Sequence, residues 1–376
     1  MQLKDVCKIN MGQSPDSSSY NENGDGIPFY QGNADFGERH PVTRVWCNSP
    51  KKTADIGDIL ISVRAPIGAL NYAKEKCCIG RGLAAIVPDK EKVSSDFIFW
   101  MLKGKNEELN RKGTGSTFKA IGRKALEEIA VPDVSFTEQN LYANNLEKVY
   151  SIILIRKQEL QTLDELIKAR FVDMFGSIKK NNKNWETSRL RNIAEVRGRV
   201  GWKGYKKEDL REFGPLVLGA THLTDNGSLD LSEPVYLSYE KFKESPEIAL
   251  HMNDLIFTQR GNTIGKVGLV TNEIGEATIN PCVLILRPID INPIYFQTYF
   301  LMDETKNDMW ALNSGSAQPM ITQKAIGDYI IMLPPLELQN EFAEFVQEVD
   351  KSKVVVQKAL DEAQLLFDSL MQEYFG

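Results

Sequence analysis

The feature that most constrains how this chain can fold is an internal repeat that runs along its whole length. The segment DILISVRAPIG at 58–68 corresponds to DLIFTQRGNTIG at 254–265, and Arg64 aligns with Arg260. A repeat of this size is considered before any fold assignment, because a duplicated segment is one structural unit built twice.

Further segments of the repeat follow in the same order along both halves. IGRGLAAIVPD at 79–89 aligns with INPCVLILRPI at 279–289. Residues 139–176 align with residues 339–376 without a gap. Identity is low between these segments, and it is their shared order that distinguishes them from chance matches. That order indicates two tandem, diverged copies of one unit.

Each copy consists of a mixed region followed by a long segment free of internal Gly and Pro. Short β-rich runs such as 58–63 and 255–259 alternate with turns rich in Gly, Asn and Pro, which is typical of an α+β domain. We therefore predict an α+β fold with two tandem α/β domains separated by a long antiparallel coiled coil of two helices. The predicted segments are a first domain at 1–136, a first helix at 137–176, a linker at 177–189, a second domain at 190–335 and a second helix at 336–376.

Both long helices carry a heptad pattern of apolar residues. Apolar positions alternate at steps of three and four residues, which is the coiled-coil period of 3.5. The seam consists of Leu146, Val149, Ile153, Leu160, Leu163 and Ile167 in the first helix and of Val346, Val349, Val356, Leu360, Phe367 and Leu370 in the second. Arg156, Arg170 and Lys353 interrupt it. Two helices of a globular core remain the alternative interpretation.

Chain order then predicts how the helices pair. The first helix leaves the first domain, a short basic linker enters the second domain, and the second helix leaves that domain. If the helices pair, they run antiparallel, with one domain at each end and an approximate two-fold axis across the pair. A helix of about 40 residues spans roughly 60 Å.

Composition and charge narrow the class of protein. The net charge is −6, and nine acids against three lysines in residues 337–376 account for all of it. The rest of the chain is therefore close to neutral and can present a local basic face. No apolar run approaches the roughly 18 residues of a membrane span, and the N-terminus lacks an apolar signal region. We expect a cytoplasmic protein without membrane contact.

The sequence offers no metal-binding or catalytic motif. Five cysteines are scattered without a CxxC pair, and the chain has only three histidines. We expect no metal site and no catalytic residue. NPIY at 292–295 approximates the NPPY motif with which amino-methyltransferases hold a flipped base, but Ile294 stands where that motif has its second Pro.

The chain resembles the specificity subunit of type I restriction–modification systems. The resemblance is carried by the repeat, by the DILISVR and DLIFTQR segments, by Gly-Ser loops at 113–116 and 314–316, and by EQN at 138–140 and LQN at 338–340, where the long helices begin. The resemblance covers the whole chain, although no single motif is diagnostic. It implies two target recognition domains, each of which reads one half of a bipartite double-stranded DNA target. It also implies that the helices set the spacing between the halves.

The resemblance further implies the partners. The helices would dock two methyltransferase subunits, and restriction/translocase subunits, which combine both activities, would join the complex. Base modification and DNA cleavage would belong to these partners, so this chain would be non-catalytic. S-adenosylmethionine, ATP and Mg²⁺ are then expected only in the partner subunits, and no cofactor is expected in this chain.

Arg64 and Arg260 are the first candidates for DNA contact. Each stands where a predicted strand meets a turn that contains Gly, a position suited to a phosphate or to the edge of a guanine. The repeat favours a shared contact with the DNA backbone, because the two domains should read different bases. A structural salt bridge to a nearby acid is the alternative.

The Gly-Ser loops supply a second group of candidates. TGSTFKAIGRK at 114–124 places hydroxyls and backbone N–H groups beside Lys119 and Arg123, which is typical of phosphate contacts. The corresponding SGSAQPMITQK places Gln318 and Lys324 similarly. An ordinary loop followed by a helix cap explains the same residues equally well.

The third group follows the PFY and PLV runs. Gln31 and Asn33, with Thr221 and His222 as their counterparts, are candidates because Asn and Gln can read adenine bidentately. A role in a turn is an equally good explanation. Arg81 is a further candidate, and it lacks a basic counterpart in the second copy.

One other class of protein fits the same pattern. A coiled-coil scaffold could bind protein partners through its helices and have no DNA specificity. Salt-dependent binding to a mixed-sequence duplex distinguishes the two hypotheses.

Overall fold

A computed structural model describes residues 1–114, 119–199, 204–272, 274–313 and 319–376. The chain divides into two compact units. Unit 1 combines Met1–Lys157 with Lys358–Gly376, and unit 2 comprises Gln158–Gln357. Each unit therefore contains one mixed domain, the first part of one long helix and the last part of the other.

Unit 1 contains two sheets. One is antiparallel with strand order β1-β9-β6-β7, and the other is mixed with order β2-β4-β3-β8-β5, in which β3 and β8 run parallel. Its strands are β1 Cys7–Met11, β2 Tyr20–Asn21, β3 Ile27–Tyr30, β4 Trp46–Cys47, β5 Thr53–Ala54, β6 Ile59–Ser62, β7 Leu70–Tyr72, β8 Cys77–Ile79 and β9 Leu83–Pro88. Its helices are α1 Leu3–Val6, α2 Ser95–Gly104, α3 Asn106–Lys112, α4 Arg123–Glu127 and the first part of α5 Phe136–Phe175.

Unit 2 repeats this plan. Its antiparallel sheet has the order β11-β17-β14-β15, and β12 runs parallel to β16 beside β13. Its strands are β10 Thr187–Arg189, β11 Ala194–Gly198, β12 Leu210–Leu218, β13 Tyr236–Leu237, β14 Leu255–Thr258, β15 Val267–Leu269, β16 Ala277–Ile279, β17 Val283–Pro288 and β18 Ile330–Met332. Its helices are α6 Leu190–Ile193, α7 Tyr239–Lys243, α8 Pro293–Leu301, α9 Asp303–Ala311, α10 Gln323–Asp328 and the first part of α11 Leu336–Phe375.

The strand registers confirm the sequence repeat residue by residue. Ile59 pairs with Ile86 in unit 1, and Leu255 pairs with Leu286 in unit 2. These strands are buried apolar runs in both units, as expected for strands covered on both faces. The predicted fold class, two tandem α/β domains with long helices, is therefore confirmed. The bounds of the five predicted segments stay a prediction.

In unit 1 the helical seam packs on the core of the mixed domain. Trp100 of α2 is fully buried and makes edge contacts with Tyr150 of α5 and Phe367 of α11, with ring centroids 5.2 and 5.5 Å apart. Tyr142 stacks on Tyr374 at 4.0 Å. Because the α5 numbers rise while the α11 numbers fall, the two segments run antiparallel.

The same antiparallel pairing is found within unit 2. Phe171 meets Phe342 edge to face at 5.6 Å, and Lys353 pairs with Asp164 at 2.7 Å. An ion pair thus occupies the place where Lys353 interrupts the seam. The seam positions are buried or half-buried in both units, and all but Leu160 and Val356 belong to the domain cores as well. The two interpretations of the heptads are therefore both partly right.

The predicted linker is an ordered turn. Gly176 ends α5 with φ +80°, the left-handed conformation that a helix C-terminus favours and that glycine adopts without strain. Trp185 Nε1 donates to Phe175 O at 2.9 Å, and Lys183 Nζ donates to Met174 O at 2.9 Å. These bonds satisfy carbonyls that the helix end leaves open.

Candidate nucleic-acid interface

Arg64 stands at a rigid corner of unit 1. It follows β6 and forms a β-bridge with Ala120, while Ala65 N donates to Lys119 O at 3.2 Å. The buried Ser62 hydroxyl lies 2.8 Å from Arg64 O, which closes the turn. The side chain is exposed, and no carboxylate of the described residues forms an ion pair with it. The salt bridge considered as the alternative is thus not found there.

Three more sequence candidates lie beside this corner. Gly82 N donates to Gln31 O at 3.1 Å, and Gly82 O accepts from Val63 N at 2.9 Å, so a single residue bridges Gln31 to the Arg64 corner. A Cβ at Gly82 would lie 2.3 Å from Gln31 O, so only glycine allows this approach. Arg81 precedes Gly82, and Lys119 precedes Ala120, the bridge partner of Arg64. Gln31, Arg64, Arg81 and Lys119 are all exposed.

Unit 2 has the same main-chain corner with different side chains. Arg260 follows β14, forms a β-bridge with Met320, and its N–H donates to Cys282 O at 3.2 Å. Its guanidinium NH2 lies 3.1 Å from Met320 Sδ, a weak acceptor, and the side chain is half-buried. Asn280 and Cys282 stand where unit 1 has glycines. Despite these differences, Arg64 and Arg260 form equivalent main-chain bridges, as the repeat predicts.

The structure corrects the assignment of Thr221 and His222 as counterparts of Gln31 and Asn33. Each unit has a short 3-10 turn here, Asn33–Asp35 and Ala220–His222, so Asn33 corresponds to Ala220. Thr221 is exposed, but only 6% of His222 is. His222 Nδ1 accepts from Gly219 N at 3.1 Å, so its ring stabilises the turn from inside. His222 therefore stabilises a turn, which is the alternative to base contact that the sequence left open.

The remaining candidates lie away from this corner or outside the described residues. Arg123 begins α4, and its NH2 donates to Ile9 O at 2.8 Å, which ties the helix to β1. Lys324 is exposed in the first turn of α10. Asn33 is half-buried at the start of its 3-10 turn. Gln318 lies outside the residues that the structure describes, as do residues 115–118 and 314–317 of the two Gly-Ser loops.

Sequence reasoning missed two polar residues next to Arg81. Gln13 is exposed and its N–H donates to Ile79 O at 3.0 Å, while Ser14 Oγ accepts from Arg81 N at 3.2 Å. The GQS turn after β1 was the signal, but only the sheet brings it to this corner.

Arg199 is a basic residue of unit 2 with an internal role. It is 6% exposed, its Nε donates to Ile279 O at 3.0 Å, and its guanidinium lies 5.4 Å from the centre of the Tyr205 ring. Burial lowers the pKa of Arg199 below its ordinary value. The side chain joins the ends of β11 and β16.

The NPIY segment is a helix cap. The Asn292 side chain accepts from Ile294 N at 2.9 Å and from Tyr295 N at 3.3 Å, and Pro293 is the first residue of α8. Across the described ranges, no cluster of three or more His, Cys, Asp and Glu residues is arranged to hold a metal ion. Of the helices in the same ranges, none has the length and apolar character that a membrane span needs.

Comparison with known proteins adds three findings. A family model described as type I restriction modification DNA specificity domain matches residues 1–165 and 182–363. The putative type I restriction enzyme MjaX specificity subunit of Methanocaldococcus jannaschii is 46% identical over 158 residues, which cover 42% of this chain but only 37% of that relative. The MjaIX specificity subunit of the same organism is 22% identical, with 98% of this chain and 90% of that relative covered.

A solved structure shares the fold. The crystal structure of the type I restriction–modification system S subunit from M. genitalium superposes with a TM-score of 0.60 at 15% identity. It covers 100% of this chain and 95% of that chain.

Proposed function

This chain belongs to the family of type I restriction–modification DNA specificity domains, and we propose that it is the subunit that reads the DNA target of such a system. Each unit reads one half of a bipartite double-stranded sequence. The observation that carries this proposal is the corner that both units repeat, with Arg64 in one and Arg260 in the other.

The corner suits DNA contact because rigid main-chain bonds present an arginine at the end of a sheet. Arginine binds phosphate oxygens or the O6 and N7 atoms of guanine. In unit 1 Gln31, Arg81 and Lys119 extend this surface with an amide and two cations. Phosphate contacts position a protein on DNA, and contacts with base edges specify the sequence.

The side chains around the two corners differ, which supports two different half-sites. Arg81 and Gly82 of unit 1 are replaced by Pro281 and Cys282 in unit 2. We propose that Arg64 and Arg260 share a phosphate contact, and that neighbouring residues such as Gln31 contribute base readout.

Exposed apolar side chains on the long helices support docking of two identical partner subunits. Ile155 and its repeat counterpart Val355 are 56% and 69% exposed, and Leu166 and its counterpart Leu366 are 45% and 50% exposed. Each unit carries one member of each pair. A contiguous exposed apolar patch is typical of an interaction site, and these positions are where we expect one on each unit. We propose that each set binds one methyltransferase subunit, to which restriction/translocase subunits are added.

We propose that this chain is itself non-catalytic. S-adenosylmethionine, ATP and Mg²⁺ would be bound by the partner subunits, which would carry out base methylation and DNA cleavage.

Exchange of a recognition domain tests the proposal. Residues 190–335 are replaced by the second domain of another family member, and the complex with methyltransferase subunits is expressed in a host without other methylation. Sequencing of methylated bases should show one changed half-site and one unchanged half-site. A change in both halves contradicts modular reading. Complete absence of sequence-specific methylation, with salt-independent binding to duplexes, would favour the coiled-coil scaffold.

Lengthening of the helices tests their role as a spacer. Four residues, about one helical turn, are inserted into each helix at the borders between the two units, after Lys157 and Gln357. The added length of about 6 Å corresponds to about two base pairs. The gap between the methylated half-sites should grow while both half-sites stay the same. An unchanged gap would show that the helices do not set the spacing.

A further inference from the structure

Residues 36–41 of unit 1 form a short turn that carries Arg39, hereafter the Arg39 turn. A β-bridge joins Phe36 to Pro41, and Gly37 N donates to His40 O at 3.1 Å. The turn directly follows the 3-10 turn Asn33–Asp35. It is therefore continuous in sequence with the segment that holds Gln31.

The backbone of the Arg39 turn is bound to the edge of β7. The side chain of Asn71, which is 1% exposed, donates to Gly37 O at 2.9 Å and accepts from Gly37 N at 3.1 Å. Tyr72 N donates to Arg39 O at 2.8 Å. These bonds fix the direction in which the Arg39 side chain leaves the turn.

The Arg39 side chain ends among aromatic rings of α2 and α5. Its guanidinium carbon lies 5.0 Å from the ring centre of Phe99, 4.7 Å from that of Trp100 and 4.9 Å from that of Tyr150. It also forms an ion pair with Glu147 of α5, and the side chain is 19% exposed. Cations held against aromatic faces in a desolvated site are strongly attracted. Arg39 therefore binds the turn to the long helix.

A second contact reinforces this attachment. The hydroxyl group of Tyr150 donates to the carboxylate of Glu38, the residue before Arg39. Two consecutive residues of one surface turn thus bind side chains of α5 that lie more than 100 positions later in the chain.

The described residues of unit 2 form no such attachment. Its corresponding turn, closed by a bridge between Leu223 and Leu229, has Gly227 in place of Arg39, because Leu269 N donates to Gly227 O at 3.1 Å as Tyr72 N donates to Arg39 O. Gly227 has no side chain, and Asn226 precedes it. Asn226 Oδ1 accepts from Thr224 Oγ1 and from Ser228 N at 3.2 Å, so it bonds within its own turn. Asp350 replaces Tyr150, and a cavity of about 740 Å³ lies beside the turn. The space that the Arg39 side chain occupies in unit 1 therefore corresponds to an open cavity in unit 2.

We propose that Arg39 is a positioning residue that fixes the DNA-reading segment of unit 1 to the long helix α5, a device that the described part of unit 2 does not have. The mechanical link is short. Asp35 Oδ2 accepts from Gln31 N at 2.7 Å, and Asp35 O accepts from Val42 N at 2.8 Å, so Gln31 moves with the Arg39 turn. This inference rests on the proposed DNA-reading function.

The test compares Arg39→Met, Glu147→Gln, their combination and a control in the corresponding turn of unit 2, Asn226→Ala. Each full chain is assembled with its methyltransferase subunits. Binding is measured to the target duplex and to duplexes with one substituted base pair in either half. Arg39→Met should reduce discrimination about tenfold at the half read by unit 1 and leave the other half unchanged. Glu147→Gln should have a smaller effect, and the combination should not exceed Arg39→Met.

A salt titration separates positioning from direct contact. If Arg39 acts through α5, the slope of log affinity against log salt stays as in the wild type. A slope reduced by about one would mean that Arg39 itself binds a phosphate and would overturn the proposal. Equal loss in both halves, or no loss in either, would overturn it too.

A measurement without DNA keeps the inference separate from the proposed function. Amide hydrogen exchange at residues 31–42 should accelerate in Arg39→Met and stay as in the wild type in Asn226→Ala. Unchanged exchange in Arg39→Met would refute the attachment even if DNA binding changed. If the wild-type complex shows no sequence discrimination, the proposed function fails, and hydrogen exchange still decides whether Arg39 positions the turn.

Discussion

The ion pair between Asp254 and Arg287 gives a prediction about stability for which the other copy of the repeat supplies the control. Asp254 is 0% exposed, and its two carboxylate oxygens accept from Arg287 Nε at 2.7 Å and from NH2 at 2.8 Å. The pair raises the pKa of Arg287 above its ordinary value. In unit 1 the corresponding residues are Asp58 and Val87, so that the aspartate is kept without the arginine.

The shared role of the two aspartates is to cap a turn. Asp58 accepts from Asp55 N at 2.8 Å, and Asp254 accepts from His251 N at 2.8 Å. Loss of such a cap costs about 1 kcal/mol. Loss of one partner from a buried ion pair costs about 3–5 kcal/mol. Because Arg287 keeps its bond to Ala249 O and some access to water, we take the lower end, about 3 kcal/mol, to which the loss of the cap is added.

Asp254→Ala should therefore lower the free energy of unfolding of unit 2 by about 4 kcal/mol, and Asp58→Ala should lower that of unit 1 by about 1 kcal/mol. For a unit of this size, 4 kcal/mol corresponds to a fall in melting temperature of roughly 10 °C. Calorimetry records the fall, and hydrogen exchange in β14 and β17 assigns it to unit 2.

A double variant tests the cause of the loss. Asp254→Ala combined with Arg287→Met removes both charges, so much of the lost stability should return. The reasoning is refuted if Asp254→Ala costs no more than Asp58→Ala, or if the double variant is as unstable as Asp254→Ala alone.

Three further predictions concern single side chains. Burial lowers the pKa of Lys103 to about 8 from 10.5, so between these values the folded chain binds fewer protons than the unfolded chain and gains stability as the pH rises. Lys103→Met should therefore be more stable than the wild type at pH 7 and lose this advantage by about pH 10 in urea titrations. Arg64→Gln and Arg260→Gln should each weaken binding to every duplex and reduce the salt slope by about one; unchanged slopes would exclude phosphate contacts. Trp100→Ala should cost about 3–5 kcal/mol and expose residues 367–375 to hydrogen exchange, whereas a loss below about 1 kcal/mol would show that this contact does not hold α11.

Local patterns in the sequence were sufficient for the parts of the fold that repeat. The heptad residues Val149 and Val349 predicted helices that the structure places at 136–175 and 336–375. The strand before Arg64 and the strand before Arg260 were visible as short apolar runs. These features depend on neighbours within a few positions, which is why pattern and periodicity report them.

The site was harder to predict, because burial decides what a polar side chain can do. His222 and Arg199 look like surface residues in the sequence, yet they are 6% exposed and bond inside unit 2. The mistaken alignment of Thr221 and His222 has the same origin. The true counterparts of Gln31 and Asn33 are Leu218 and Ala220, three and two positions earlier, and a shift of that size in a turn changes which side chain faces inward.

The sequence alone determined that one α+β unit occurs twice, that a long helix follows each copy, and that an arginine ends the corresponding strand in both. Each of these is a local or periodic property, and its physical causes act over a few residues. Only the tertiary structure decided that Gln31 lies beside Arg64, because Gly82 joins them through main-chain bonds across two sheets. The same is true of Arg39, whose partner Glu147 is 108 positions away in the chain. Contacts between distant residues follow from how whole elements pack, and no short segment of sequence encodes them.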